Sequence, residues 1–208
     1  MEIIWHGYKC FQVKTKSAAV LVDPYKAEVG IQMPNVKTDV IVFTNENDSE
    51  NNMEMAPAGT KFFSWPGEYE VSGIALTIKK LSESSSFISF DIDNIRICYL
   101  TDLTLDLTDE KISEFGNVDI LIVPVDQKKG GFSKVHELLE ELEPRVVIPI
   151  FYATPGLKIE LDEIGPFLKK AGISQSVDSM EKEKFTVNSK SSLPQEKTEY
   201  VILKPQVA

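Results

Sequence analysis

Apolar positions in the first ninety residues fall in short runs of β-branched and aromatic side chains separated by turn residues. These runs are Ile3 to Trp5, Cys10 to Lys14, Ala18 to Val22, Asp39 to Thr44, Lys61 to Ser64, Ile74 to Ile78 and Ser86 to Asp91. Runs of that length bounded by Gly, Pro, Asn and Ser predict strands. From Arg96 onward, strand-like runs alternate with stretches of helical spacing. The order is strand Arg96 to Leu100, helix Thr108 to Phe115, strand Asp119 to Val125, helix Ser133 to Leu142, strand Arg145 to Ile150 and helix Leu161 to Ala171. Thr108 is placed to cap the first helix, Pro144 to stop the second and Gly172 to end the third. Two later runs, Lys184 to Val187 and Tyr200 to Leu203, predict closing strands. Ser82 to Ser86 predicts a hairpin loop. So many strands exceed one small sheet, and a strand-rich half followed by an α/β half predicts two sheets face to face with helices outside. The expectation is an α/β (α+β) four-layer αββα sandwich.

Composition narrows this picture. With 208 residues, 42% hydrophobic and 26% charged, the chain is long enough to bury a core as one domain, residues 1–208. The net charge of −10 comes from 22 basic and 32 acidic residues with neither sign blocked together. Such a surface repels phosphate backbones, so no nucleic-acid partner is expected. No apolar run approaches the length of a membrane span, and the opening Met1-Glu2-Ile3-Ile4-Trp5-His6 has no leader-like pattern. The expectation is a cytoplasmic protein with no membrane partner. Cys10 and Cys98 sit inside apolar runs, where a thiol behaves as a small buried hydrophobe. Gly-x-Ser-x-Gly, phosphate-loop, Gly-x-Gly-x-x-Gly and Cys-x-x-Cys patterns do not occur.

Several segments taken together carry a family resemblance. They are Trp5-His6-Gly7-Tyr8-Lys9-Cys10-Phe11, Val20-Leu21-Val22-Asp23-Pro24-Tyr25, the strand Asp39 to Thr44, Pro66-Gly67-Glu68-Tyr69-Glu70-Val71, Cys98 to Leu103, and Val147 to Leu157. In this order they resemble the metallo-β-lactamase-fold superfamily, and within it the branch similar to ascorbate-phosphate lactonases. The resemblance implies a sandwich with a metal site in the groove along the sheets' shared edge. It also implies hydrolysis by a metal-bound hydroxide, for which the ion lowers the pKa of bound water and needs imidazole and carboxylate ligands.

The positions that match the family's ligands carry other residues. The motif after Thr44 would place histidines at 45, 47 and 50 and an aspartate at 49, where the chain has Asn45, Asn47, Glu50 and Ser49. The early histidine falls at Tyr8, the middle one at Leu105 and the late one at Phe151, and only Asp102 keeps its family identity. Without any alignment, the two histidines of the chain, His6 and His136, are too few for a site of four or five imidazoles. The expectation is therefore a pseudoenzyme with a degenerate site, retained as a binding or assembly scaffold, with no catalytic residue and no cofactor, zinc included. A homo-oligomer or a partner protein, such as an active relative, would be its company. The alternative is a hydrolase of a small phosphorylated or lactone-like substrate. It would work without metal or with an oxygen-ligated ion held by Glu50 and Asp102, with Glu46 and Asp48 nearby.

Overall fold

Alternation along the short strands decides which side chains enter the core. A computed structural model describes residues 1–44, 59–81, 86–101, 108–126 and 131–208. One sheet has six strands: β1 (Glu2–Trp5), β2 (Phe11–Lys14), β3 (Ala19–Val22), β4 (Val40–Val42), β5 (Lys61–Phe63) and β13 (Phe185–Thr186), in the spatial order β13-β1-β2-β3-β4-β5. The first three are antiparallel neighbours, and β3, β4 and β5 run parallel. Phe11, Val13, Val20, Val22, Val40 and Val42 point inward to the main core. Leu21 and Ile41, one residue out of phase, point outward into a second cluster with Cys10, Tyr25, Ile31 and Phe43.

The other sheet has seven strands: β6 (Gly67–Val71), β7 (Ile74–Lys80), β8 (Ser86–Ile92), β9 (Ile95–Leu100), β10 (Ile120–Pro124), β11 (Val146–Ile150) and β14 (Glu199–Tyr200). Their order is β14-β11-β10-β9-β8-β7-β6, with β9, β10, β11 and β14 parallel. β10 and β11 are buried at every position, so their sequences read as unbroken apolar runs rather than alternating ones. Pro149 fits inside β11 because β14 pairs only with Val146 and Val147, leaving the later part of β11 with one strand partner. The two sheets meet face to face: the Phe11 ring lies edge-on to Tyr99, 4.9 Å between centroids, and to Phe90, 6.3 Å.

Helices α1 (Asp109–Ser113), α2 (Gly131–Leu142) and α3 (Ile164–Lys170) contribute to this same core. Phe115, just past α1, lies 4.2 Å from Phe87 of β8, and Val135, Leu138, Phe167 and Leu168 join the cluster. The architecture is the αββα sandwich of the metallo-β-lactamase type. Thr108 caps α1 by accepting the Lys111 N–H. Gly172, at φ 77°, ends α3 in the left-handed conformation, with Ile173 N–H returning to the Leu168 carbonyl.

Where the elements differ from expectation, a local cause is visible. α3 begins at Ile164 rather than Leu161, because Pro166 has no N–H to give and belongs in a first turn. The expected strand at Tyr200 to Leu203 is split: β14 pairs with β11, and β15 (Ile202–Leu203) pairs with β12 (Glu181–Lys182). β6, β12 and the short helix α4 (Val177–Met180) were not expected from the pattern. The expected loop at 82–85 lies outside the described residues.

Candidate functional site

The described candidate positions, Tyr8 and Phe151, lie at one end of the sandwich, where β1, β3, β4, β9 and β11 finish. Tyr8 sits in the tight turn between β1 and β2, closed by His6 N–H to the Cys10 carbonyl and Cys10 N–H to the Gly7 carbonyl. Asp23 follows β3, and its carboxylate accepts the Thr44 N–H at 2.8 Å and the Thr44 hydroxyl at 2.7 Å. This pins the residue at the end of the β4 segment. The Ser86 hydroxyl donates to the Thr44 carbonyl at 3.1 Å, while the Ser86 N–H donates to the Thr101 hydroxyl at 2.9 Å. Thr44 and Thr101, the residues just before Asn45 and Asp102, are thereby tied to one serine. Asn45, Asn47, Ser49, Glu50, Asp102 and Leu105 themselves lie outside the described residues.

Tyr8 and Phe151 are the described members of the set, and they touch. Their rings meet edge-on with 5.1 Å between centroids, and the Tyr8 ring also meets that of Tyr25 edge-on, 6.0 Å between centroids. Phe151 is only 5% exposed, so its ring fills the end of the sandwich rather than lining an open cleft. The Lys9 ammonium lies over both rings, 5.8 Å from the Tyr8 centroid and 5.1 Å from that of Phe151. The Trp5 indole N–H donates to the Tyr8 carbonyl, and the Tyr25 hydroxyl to the His6 carbonyl, which fixes the turn.

The backbone here is unusual in a way that the side chains alone do not explain. Tyr8, Asp23 and Phe151 all have positive φ, at 51°, 47° and 58°. Non-glycine residues rarely hold that conformation, and a bulky one does so only where its surroundings enforce it. Three such residues at the ends of three strands form a set of strained corners around one spot. The turn after Phe151 is held by Lys158 N–H bonding the Val29 carbonyl at 2.8 Å. Gly30 makes this approach possible: a Cβ there would lie 2.4 Å from the Gly156 carbonyl oxygen.

Burial dominates at the remaining histidines and cysteines, and the Nε2 atoms of His6 and His136 are buried with no hydrogen-bond partner among the described residues. His6 is buried, with Nδ1 3.2 Å from the Gln206 carbonyl, and burial pushes its pKa below the ordinary histidine value. His136 lies on α2. Cys10 and Cys98 are free and buried, and burial drives both thiol pKa values up. A cavity of about 680 Å³ between α4, β12 and β14 is lined by none of the candidate positions. Asp23, which anchors Thr44, was legible only as the Asp-Pro after a strand, and no sequence signal pointed to Ser86 as the bridge.

A sandwich of two mixed sheets with strained corners at one end defines a class, and comparison with known proteins agrees with it. A family profile described as "Beta-lactamase superfamily domain" matches residues 2–151, and the chain belongs to that family, the metallo-β-lactamase superfamily. A UPF0173 protein of Pyrococcus abyssi is 26% identical over 75% of this chain and 85% of its own length. A Thermotoga maritima structure, assigned as a Zn-dependent hydrolase of the metallo-β-lactamase superfamily, is also 26% identical. It covers 98% of this chain and 100% of its own, with a TM-score of 0.79. A metallo hydrolase from Ignicoccus hospitalis shares the fold at 14% identity, over 90% of this chain and 99% of its own, with a TM-score of 0.61.

These relatives correct one expectation. The expectation of no cofactor, zinc included, does not hold: the Thermotoga structure of this superfamily, 26% identical over 98% of this chain, carries the name of a Zn-dependent hydrolase, and zinc is a plausible cofactor. Loss of the imidazoles removes one ligand set and leaves carboxylates as ligands, and Glu50 and Asp102 lie outside the described residues. Among the described residues the fit is poor: no three His, Cys, Asp or Glu side chains cluster as a metal site, and Phe151 offers no donor atom. No helix among them is long and apolar enough to cross a membrane.

Proposed function

We propose that this member of the metallo-β-lactamase superfamily does not run the family's hydrolysis and keeps the sandwich as a binding scaffold. The observation that carries this reading is the Tyr8–Phe151 pair: two aromatic rings in edge contact, one almost fully buried, at two positions that match family histidines. Hydrolysis needs an ion with an open coordination position and a water beside it, and a buried phenyl ring takes up such space. The total of two histidines agrees, since zinc on this chain would have to use a ligand set other than the family's imidazoles.

A hydrolase reading keeps one specific support. Ser86 ties together Thr44 and Thr101, the described residues that precede the segments holding Glu50 and Asp102. In that reading zinc would polarise a small phosphorylated or lactone-like substrate, with Glu50 and Asp102 as its holders.

Turnover separates the two. Purified protein saturated with zinc, and in parallel with manganese, is assayed against phosphodiester and lactone panels. The scaffold reading expects rates equal to those of the buffer with metal. Turnover that disappears in Asp102→Ala would overturn it and establish the hydrolase.

A further inference from the structure

Among the described residues, large apolar side chains are exposed at only two places, Trp65 (66%) and Val207 (42%). Trp65 stands just before β6, the outermost strand of the seven-stranded sheet, which pairs with β7 alone among the described residues. The turn between β6 and β7 settles which backbone groups of that strand are left over. Ser72 and Gly73, at φ 48° and 88°, form a two-residue hairpin turn that makes Val71 and Ile74 a hydrogen-bonded pair. Alternation then assigns Gly67, Tyr69 and Val71 to β7 and points the N–H and C=O groups of Glu68 and Glu70 away from the sheet. No other backbone group takes them up among the described residues. The corner before this edge is firmly held: Phe63 and Tyr69 stack with 4.1 Å between ring centroids, and the Tyr69 hydroxyl donates to the Trp65 carbonyl at 2.8 Å. The indole is therefore presented from a fixed backbone, and tryptophan is among the side chains most enriched where interfaces draw their affinity.

We infer that β6 takes an extended, arginine-bearing segment of another protein as an additional strand of the seven-stranded sheet. In strand addition the main-chain hydrogen bonds supply affinity and the side chains select the partner. The side chains of β6 select for positive charge. Glu68 and Glu70 are both exposed; Glu68 takes part in none of the ion pairs among the described residues, and Glu70 accepts only the Gly73 N–H. Their cross-strand neighbours on β7, Thr77 and Ala75, carry no charge. Charges on an edge ordinarily guard it. These are of one sign and uncompensated, so they repel an acidic strand and attract a basic one. Arginine at alternate positions of the incoming strand sets guanidinium groups on the face of the two carboxylates, in a planar two-bond pairing that lysine does not offer. A further arginine reaches the Trp65 ring, on which a guanidinium stacks. The inference extends the scaffold reading by naming a partner chemistry, and its test involves neither metal nor substrate, so its failure leaves the turnover result untouched.

Isothermal titration calorimetry of the full chain with an end-blocked octapeptide of alternating arginine and valine tests this. A dissociation constant of about 10–50 μM is expected, and the fluorescence of exposed Trp65 shifts on binding while that of buried Trp5 does not. Proline at two adjacent central positions of the peptide removes ladder donors on both of its edges and weakens binding by about tenfold or more. Trp65→Ala weakens it about tenfold. Glu68→Arg with Glu70→Arg abolishes binding of the arginine peptide and confers binding of the octapeptide that carries glutamate in place of arginine. All three side chains are exposed, so unchanged far-ultraviolet circular dichroism and urea midpoints establish that the variants are folded. No heat of binding at about 200 μM peptide overturns the inference. So does binding that proline leaves unchanged, which is charge attraction without strand addition, or binding that survives the double charge reversal, which places the peptide elsewhere.

Discussion

Replacing Phe151 with alanine and with glycine separates what its ring contributes from what its backbone costs. Phe151 is 5% exposed, packs edge-on against Tyr8 and holds φ at 58°. Truncating a buried phenylalanine to alanine costs about 3–5 kcal/mol, within which the ring pair contributes about 0.5–1.5 kcal/mol. Alanine keeps the Cβ and hence the left-handed strain of about 1–2 kcal/mol, and glycine removes it. Against this relief, glycine loses about 0.4–1 kcal/mol through the greater freedom of the unfolded chain. The balance puts Phe151→Gly ahead of Phe151→Ala by about 0.5–1 kcal/mol. At Phe167, fully buried inside α3, the order should reverse, because glycine in a helix is about 1 kcal/mol worse than alanine. Equilibrium urea unfolding of the four variants, compared at equal m-values, reads both differences. Alanine more stable than glycine at position 151 would refute the claim that this corner is strained.

Three further predictions rest on other parts of the structure. Asp119, 5% exposed as a side chain, binds Arg145 at 3.3 Å, Lys190 at 2.9 Å and the Arg96 N–H at 3.0 Å, joining three chain segments. Its partners are partly exposed, so Asp119→Ala should cost about 2–3 kcal/mol in urea unfolding, below the full price of breaking a buried pair, and a loss under about 0.5 kcal/mol would contradict this. Burial holds His6 below its usual pKa of about 6.5, so the unfolded chain takes up the proton first as pH falls. The stability from neutral His6 is present above that value and is lost as pH drops toward the lower folded one. Wild type should therefore lose stability relative to His6→Gln between pH 7 and pH 5, and parallel pH profiles would contradict this. Cys10 and Cys98, buried with raised thiol pKa values, should resist a disulfide reagent in the native protein and react as two equivalents in urea. Fast reaction of either native thiol would count against the packing described here.

The fold was readable because its main strands carry their own signal. β10 and β11, buried on both faces, stand out as apolar runs, and Thr108, Pro144 and Gly172 mark helix ends by chemistry that is local to the chain. β6 was missed although Glu68-Tyr69-Glu70-Val71 alternates polar and apolar positions, because the run is short and glutamate and glycine are depleted in strands. β12, β14 and β15 were missed or fused because two-residue strands are decided by tertiary pairing rather than by pattern. At the site, residue identity disclosed the substitutions at Tyr8 and Phe151, yet not that the two rings meet, since that contact spans more than a hundred residues. Positive φ at Tyr8 and Phe151 has no sequence signal at all, because glycine or asparagine would be expected there. The cofactor was misjudged for a different reason: counting histidines excludes one ligand set, not one metal.

The most direct test of the account is a crystal structure grown with excess zinc, with anomalous diffraction collected at the zinc absorption edge. The account predicts the Tyr8 and Phe151 rings in edge contact as described here, with any zinc peak lying clear of them. A zinc ion coordinated by Glu50 and Asp102, with the Phe151 ring swung out to open a position for water, would contradict it.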